Sequence, residues 1–503
     1  MIKKWCLSGL VVALSFLMVA CADPEERLYT GLEAQSLKLW MEKYHPDLVQ
    51  NHQVEGDYYI DVINPGDGPA AQDTVYWVRM EFTGRDLAGN VCLTRDELTA
   101  RQIGTFTKHT HYVPFFRYCG DERSDMLDGM HLALRNKITL GEEYAEAHGL
   151  EQELVLRLGA EVVLYMPSTI VGGLSGNGGY EGQLIGGVTY TLSDQRPLIA
   201  RMKVVDLVKN PLEQEGQEVD AFVGENGGLK PVEEKPETTS ATRGAEEPQY
   251  NDGYAWRNSI DTIPHLYIHH TFRPELDRSK LYTYRETYRS AVAPYNNMQE
   301  LDLKINQALI DRFGEGTLEG DSIKLTGTAK VWYIGRFLDG FVFDTNIDEV
   351  KEILYGKEEG ASEGAAISYT PEVDQSKYVS MWYYALQQLR YGQWATVVGT
   401  SIYNYGATGK EGSTTTSSSS SNDSSYYDML NYYNYMNSYY GNNYYGGYYG
   451  GYYGGYYGGY YDDYYYSNSY ESDTTTETTT TVSTEIQSYT PLLFQIYIEE
   501  QEE

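Results

Sequence analysis

Positive charge is what this 503-residue sequence has little of: 38 Lys and Arg stand against 72 Asp and Glu, a formal net charge of −34. So acidic a chain repels phosphate backbones, which argues against a nucleic acid as partner. Cysteine is scarce too, with four in all. Cys6 and Cys21 fall in the N-terminal segment, leaving Cys92 and Cys119 as the one pair that an oxidising compartment could join; their spacing does not show whether they meet. The nine histidines form no recognisable metal motif, because His109-x-His111 and His269-His270 lack a third ligand at a known spacing. Gly176-Asn177-Gly178-Gly179 lacks the strand–turn–helix context of a phosphate loop. Beyond the first 20 residues no apolar run is long enough to span a bilayer.

What is present begins with Lys3 and Lys4, followed by an apolar run from Leu10 to Ala20 that is short for a spanning helix. It ends in Leu17-Met18-Val19-Ala20-Cys21, which resembles the lipobox of bacterial lipoproteins. The resemblance implies a signal peptide over 1–20, a Cys21 thiol that receives diacylglycerol, and a chain tethered to the outer membrane of the cell envelope by lipid alone. Removing residues 1–20 takes away two lysines and brings the charge to −36.

Residues 21–55 are expected to form an acidic tether and a short amphipathic helix, with Leu37, Trp40 and Met41 at helical spacing. Strand-like text starts at Asp57 and reaches a turn at Asn64-Pro65-Gly66-Asp67-Gly68, and β pattern then continues to about Val208. Residues 209–250, rich in Glu, Pro, Thr and Gly, read as a solvated linker. Residues 251–319 receive no assignment. Low complexity fills 410–485, where 21 of the 50 tyrosines lie between Tyr426 and Tyr470 and Tyr-Tyr-Gly-Gly recurs. Glycine at that density makes regular structure entropically costly, so the segment is expected to be a disordered insertion. Its tyrosines, each an apolar face with a hydroxyl, suit weak and broad capture of clients.

The halves repeat each other in order. Phe82-Thr83-Gly84-Arg85 is echoed by Tyr333-Ile334-Gly335-Arg336, Leu158-Gly159-Ala160-Glu161 by Tyr391-Gly392-Gln393-Trp394, and Pro197-Leu198-Ile199 by Pro491-Leu492-Leu493. In the second copy Asp339-Gly340 marks a hairpin. Trp382, Ala385, Leu386 and Leu389 fall on one helical face, and Leu492, Phe494, Ile496 and Ile498 alternate along a final strand.

These residues resemble the FKBP family of peptidyl-prolyl cis–trans isomerases. Tyr333, Gly335, Asp339, Gly340, Phe343 and Asp344 match its Tyr-x-Gly, Asp-Gly and Phe-Asp signature. Tyr378, Val379 and Trp382 match its Val-Ile-x-x-Trp element, and Tyr405, Ile486 and Phe494 fall on its carbonyl donor, flap isoleucine and last-strand aromatic. The resemblance covers roughly 320–500, less the insertion. It implies an α+β fold with two FKBP-like domains, 56–208 and 320–500, each an antiparallel twisted sheet wrapped around a short helix. It also implies catalysis in the second domain only, by Tyr333, Phe343, Asp344, Val379, Trp382, Tyr405, Ile486 and Phe494, without a cofactor. The first copy keeps the family's Pro-Phe strand in Pro114-Phe115-Phe116 but departs at the pocket: Phe82 for the tyrosine, Cys92-Leu93 for Phe-Asp, Met130 for the tryptophan, Val171 for the flap-side tyrosine and Ala200 for the last aromatic.

An X-Pro bond has isomers close in energy separated by about 20 kcal/mol, the resonance lost on twisting. An aromatic pocket disfavours the dipolar planar amide relative to the less dipolar twisted one, so no nucleophile, base or metal is needed. The expected partners are proline-containing unfolded or envelope proteins. Two other readings stand beside this one. In the first the chain is a non-catalytic FKBP-fold scaffold or subunit of an outer-membrane complex; in the second it is a surface adhesin whose tyrosines stack on sugars.

Overall fold

A computed structural model describes residues 24–73, 75–121, 124–171, 196–225, 227–233, 262–270, 298–317, 319–324, 326–356, 364–374, 377–419 and 477–501. Cys21, the stretch 176–179 and the Tyr-Tyr-Gly-Gly repeats lie outside them. Among the described residues, no helix is long and apolar enough to cross a membrane.

One compact unit holds two seven-stranded antiparallel sheets. The first contains β1 (His52–Gln53), β2 (Tyr58–Asn64), β3 (Tyr76–Arg85), β4 (Val91–Thr94), β5 (Phe115–Cys119), β8 (Glu161–Met166) and β9 (Leu198–Val208). A separate pair, β6 (Ile138–Thr139) and β7 (Glu153–Leu154), lies between β5 and β8 in sequence. The second sheet contains β10 (Lys230–Glu233), β11 (Thr262–His269), β12 (Ala329–Phe337), β13 (Val342–Thr345), β14 (Ile367–Tyr369), β15 (Trp394–Gly399) and β18 (Leu492–Glu500). The first runs β1-β2-β8-β9-β3-β4 with β5 on β3, and the second β10-β11-β15-β18-β12-β13 with β14 on β12. The two orders are the same, element for element.

Register carries the repeat down to single residues. Gly84 pairs with Leu93 and Ala200, with a bulge just after it, and Gly335 pairs with Asp344 and Phe494, also with a bulge just after it. Leu127 and Val379 cap equivalent helices, Asp128–Arg135 and Ser380–Leu386, at φ/ψ of −59/135° and −58/136°. Phe82 therefore stands at the place of Tyr333, Leu93 at that of Asp344, and Met130 at that of Trp382. One expectation slips by a residue. The 3-10 turns Ser168–Ile170 and Ser401–Tyr403 align so that Val171 faces Asn404, and the place of Tyr405 falls to residue 172, outside the described set.

The first core includes Leu37 and Met41 of the helix Pro24–Tyr44, so the helical part of the expected tether packs into the domain that follows it. Cys92 and Cys119 are free thiols. Cys92 sits beside Gly84 and Arg85, whereas Cys119 pairs with Tyr76 at the other end of β3. At about 3.3 Å of rise per strand residue they are far beyond disulfide reach. Burial raises the Cys119 thiol to about 12.

The expected solvated linker is structured in two places. Residues Pro211–Glu225 form a helix whose Val219 and Phe222 pack with Leu229 against Leu338, Val398 and Leu493 on the back of the second sheet. The helix shows few large apolars because its buried stripe is narrow, and two of its buried positions are acids with partners. Glu215 accepts from the Ser401 backbone and hydroxyl at 2.9 and 2.8 Å, and Glu218 lies 3.8 Å from Arg79. The unassigned stretch 251–319 supplies β11 and the helix Met298–Phe313, whose Ile305 and Leu309 join Ile334, Trp394 and Tyr497. The second sheet is thus covered on both faces, which explains why all six residues of β15 are buried rather than alternating. The ends of the expected disordered insertion are strands, β16 (Ser413–Ser419) paired with β17 (Glu477–Ser483). Most of them belong to a second, smaller unit that takes in Thr414–Thr481.

Candidate functional site

The inner face of the second sheet and the short helix Ser380–Leu386 enclose one aromatic cluster. β12 alternates, so Val331, Tyr333 and Phe337 face inward while Trp332 and Ile334 face the helices behind. β18 does the same, with Leu492, Phe494, Ile496 and Ile498 inward. The helix contributes Met381, Trp382, Ala385 and Leu386.

Within that cluster the Trp382 ring lies edge-on to Tyr333 at 5.1 Å and to Phe494 at 5.8 Å between centroids. Phe343 meets Phe494 edge-on at 5.7 Å. These are favourable edge-to-face geometries. Val379 caps the helix and packs against the same cluster, as does Tyr405, while Ile486 lies within it. All eight residues singled out in the sequence fall in one place. Asp344 is half-buried at the edge, and its Oδ2 accepts from the Tyr333 hydroxyl at 2.7 Å. Burial, reinforced by the Asp344 charge and that hydrogen bond, holds the Tyr333 phenol well above its usual range, so it stays a donor.

Two glycines make this arrangement possible. A Cβ on Gly335 would lie 2.5 Å from Cζ of Phe343, so only glycine lets that ring cross β12. Gly409 has φ +68°, and a Cβ there would lie 2.3 Å from the Ile486 carbonyl oxygen. The flap thereby closes onto the Tyr405 loop: Ile486 and Lys410 exchange backbone hydrogen bonds of 2.8 and 2.7 Å.

Two contributors, Tyr369 and Asn346, escaped the sequence reading, and Tyr378 does more there than its match implies. Tyr369, wholly buried on β14, packs its ring beside both Tyr378 and Trp382. Tyr378 itself stacks on Trp382 at 5.4 Å and 18°, placing a ring where the FKBP pattern has valine. Asn346 accepts from the Tyr333 backbone N–H at 2.8 Å and donates to Val331 O at 2.9 Å, which fixes the segment that carries Tyr333. A β-strand run into Thr370-Pro371 was the available sign for Tyr369; nothing in sequence marks Asn346.

Two of the histidines weighed as ligands contact the second domain. His111 pairs with Asp339 and His109 stacks on Tyr355, and among the described residues no group of three metal-ligating side chains occurs. The cluster offers a packed, apolar aromatic wall, one oriented acid at its edge and a tyrosine at the flap. It suits binding a planar apolar ring and holding a peptide next to it.

No protein-family model and no curated protein matches the chain. Solved structures similar to it include a peptidyl-prolyl cis-trans isomerase from Pseudomonas syringae pv. tomato, at 12–13% identity like FkpA from Escherichia coli. The first covers 58% of this chain and 96% of its own at a TM-score of 0.22, the second 41% and 70% at 0.22. A third, the three FKBP domains of wheat FKBP73, is 9% identical and covers 89% of this chain and 95% of its own at 0.20. On its own strand order and register, this chain holds two copies of one seven-stranded antiparallel topology in an α+β architecture.

Proposed function

We propose that the second domain is an FKBP-type peptidyl-prolyl cis–trans isomerase acting on proline-containing segments of unfolded or envelope proteins. The observation that carries this reading is the aromatic enclosure of Tyr333, Phe343, Trp382 and Phe494 with Asp344 tied to Tyr333 at its edge. A prolyl ring seated against Trp382 would place its amide among groups that solvate a planar dipole poorly, while Tyr405 supplies a hydrogen bond to a neighbouring carbonyl. The first domain is read as non-catalytic, since Leu93, Phe82, Met130 and Ala200 occupy the places of the acid, the hydroxyl, the floor and the last ring.

The test is protease-coupled isomerisation of a proline tetrapeptide by the full chain, with Asp344→Val as control. Turnover that depends on Asp344 supports the reading; turnover unaffected by it, or none, refutes it. We place the chain on an envelope membrane through a lipidated Cys21, and Cys21→Ser is expected to release it from the detergent phase. Unchanged partitioning would refute that placement.

One observation favours the scaffold alternative. Trp382, Phe494 and Ile486 are 3%, 3% and 2% exposed, so a substrate ring needs the flap or the Tyr405 loop to move. A chain that binds an FKBP-directed macrolide or peptide but never turns over would support that second reading.

A further inference from the structure

The pocket's flap is held from outside by the first domain. Residues 484–489 run between β17 and β18, and their side chains divide between two destinations. Ile486 turns inward to the aromatic cluster. The Thr484 hydroxyl donates to His109 O at 2.7 Å, and Glu485 meets Arg117 at 3.4 Å and also Arg95. Gln487 is bidentate: its Oε1 accepts from the Phe116 N–H at 2.6 Å, and its Nε2 donates to Pro114 O at 3.0 Å. That amide thus continues the ladder of β5, satisfying backbone groups that burial would otherwise leave unpaired. Tyr489 takes a left-handed φ of 52°, uncommon for so large a side chain, with its ring edge-on to Trp77 at 4.9 Å.

The same first-domain segment grips the opposite pocket wall. His111 stacks on Phe337 at 4.2 Å and its Nε2 lies 2.6 Å from Asp339 Oδ2, both side chains being nearly buried. Phe337 in turn packs on Phe343 at 5.2 Å. The stretch from His109 to Arg117 therefore touches both the flap behind Ile486 and the hairpin behind Phe343.

We infer that the first domain is a clamp on the second domain's pocket, with Gln487 as the positioning residue that holds Ile486 over the site. This rests on the isomerase reading for its catalytic consequence, but its mechanical part stands apart from it. A clamp accounts for a domain that keeps its fold while its own pocket has lost the acid, the hydroxyl and the floor. Holding Ile486 in place acts on substrate binding and not on the twisting step, so its loss raises KM and leaves kcat unchanged.

The experiment compares the full chain with Gln487→Leu and Gln487→Glu, measuring tetrapeptide kinetics and deuterium uptake at the Ile486 amide. Gln487→Leu is expected to raise KM about fivefold with kcat unchanged, and to speed uptake at Ile486 about tenfold. Gln487→Glu keeps the acceptor for Phe116 and is expected to fall between. Uptake at Ile486 equal to wild type overturns the clamp, as does a fall in kcat at constant KM. If the wild-type chain shows no turnover, the isomerase reading fails while the uptake comparison still decides the clamp. Should Gln487→Leu not fold, Thr484→Val removes the bond to His109 and reads the same uptake.

Discussion

Tyr333→Phe deletes a single oxygen, which makes the Tyr333–Asp344 pair the place where site chemistry can be separated from packing. The ring keeps its contacts with Trp382 and Phe494, so no cavity opens. What is lost is one hydrogen bond of 2.7 Å to a charged acceptor. Such bonds contribute about 1.5–3 kcal/mol. The lower end applies here because Asp344 is only half-buried and water can occupy its freed lone pair. If the bond orients Asp344 for the substrate, roughly 1.4 kcal/mol of lost transition-state stabilisation lowers kcat/KM about tenfold. Asp344→Val removes the other partner and is expected to cost at least as much. Because both changes break the same bond, the double variant is expected to be no slower than the slower single variant. The assay is a double-mutant cycle in protease-coupled isomerisation, with thermal unfolding of each variant alongside. Losses that multiply in the double variant would refute the idea that the two residues act as a unit.

Phe222→Ala in the helix Pro211–Glu225 is expected to destabilise the chain by about 3–5 kcal/mol in denaturant unfolding, as for other buried rings, whereas a residue in a solvated linker would register nothing. Gly335→Ala is expected to push Phe343 from its seat and abolish turnover; crystallography or aromatic NMR shifts showing Phe343 unmoved would contradict the close approach. Burial raises the phenols of Tyr333, Tyr112, Tyr165 and Tyr369 above the ordinary value near 10. Since the unfolded chain then releases those protons first, stability is full below about pH 10 and falls as pH rises beyond it. Thermal midpoints that stay level above pH 10 would count against that burial.

Legibility in the sequence followed the chemistry of each segment. The hairpin at Asp339-Gly340, the Trp382 helix face and the alternation of β18 each carry a local signal, and each is where it was expected. The repeat was legible through Gly84 and Gly335, the second of which must leave room for the Phe343 ring. The helix Pro211–Glu225 was not legible. Its acids look solvated in composition, but Glu215 and Glu218 find buried partners in Ser401 and Arg79, residues distant in sequence. Val171 was placed one residue off because the loops around it have no period to fix a register. The interdomain contacts of Gln487 were equally invisible, since a glutamine reads as surface until the strand edge opposite it is known.

The position of β18 between β15 and β12 has a consequence for how the second domain comes into being. The strand at the centre of its sheet is the last in sequence, and it follows the Tyr/Gly-rich stretch. During synthesis, β12 and β15 have no partner on their facing edges until Leu492–Glu500 arrive. Neither Phe494 nor the clamp on Ile486 can be set before then. Unpaired edges of this kind invite pairing with other chains. A protein proposed to attend the slow steps of others thus passes through a long vulnerable interval of its own, which ends only when its final strand closes the sheet.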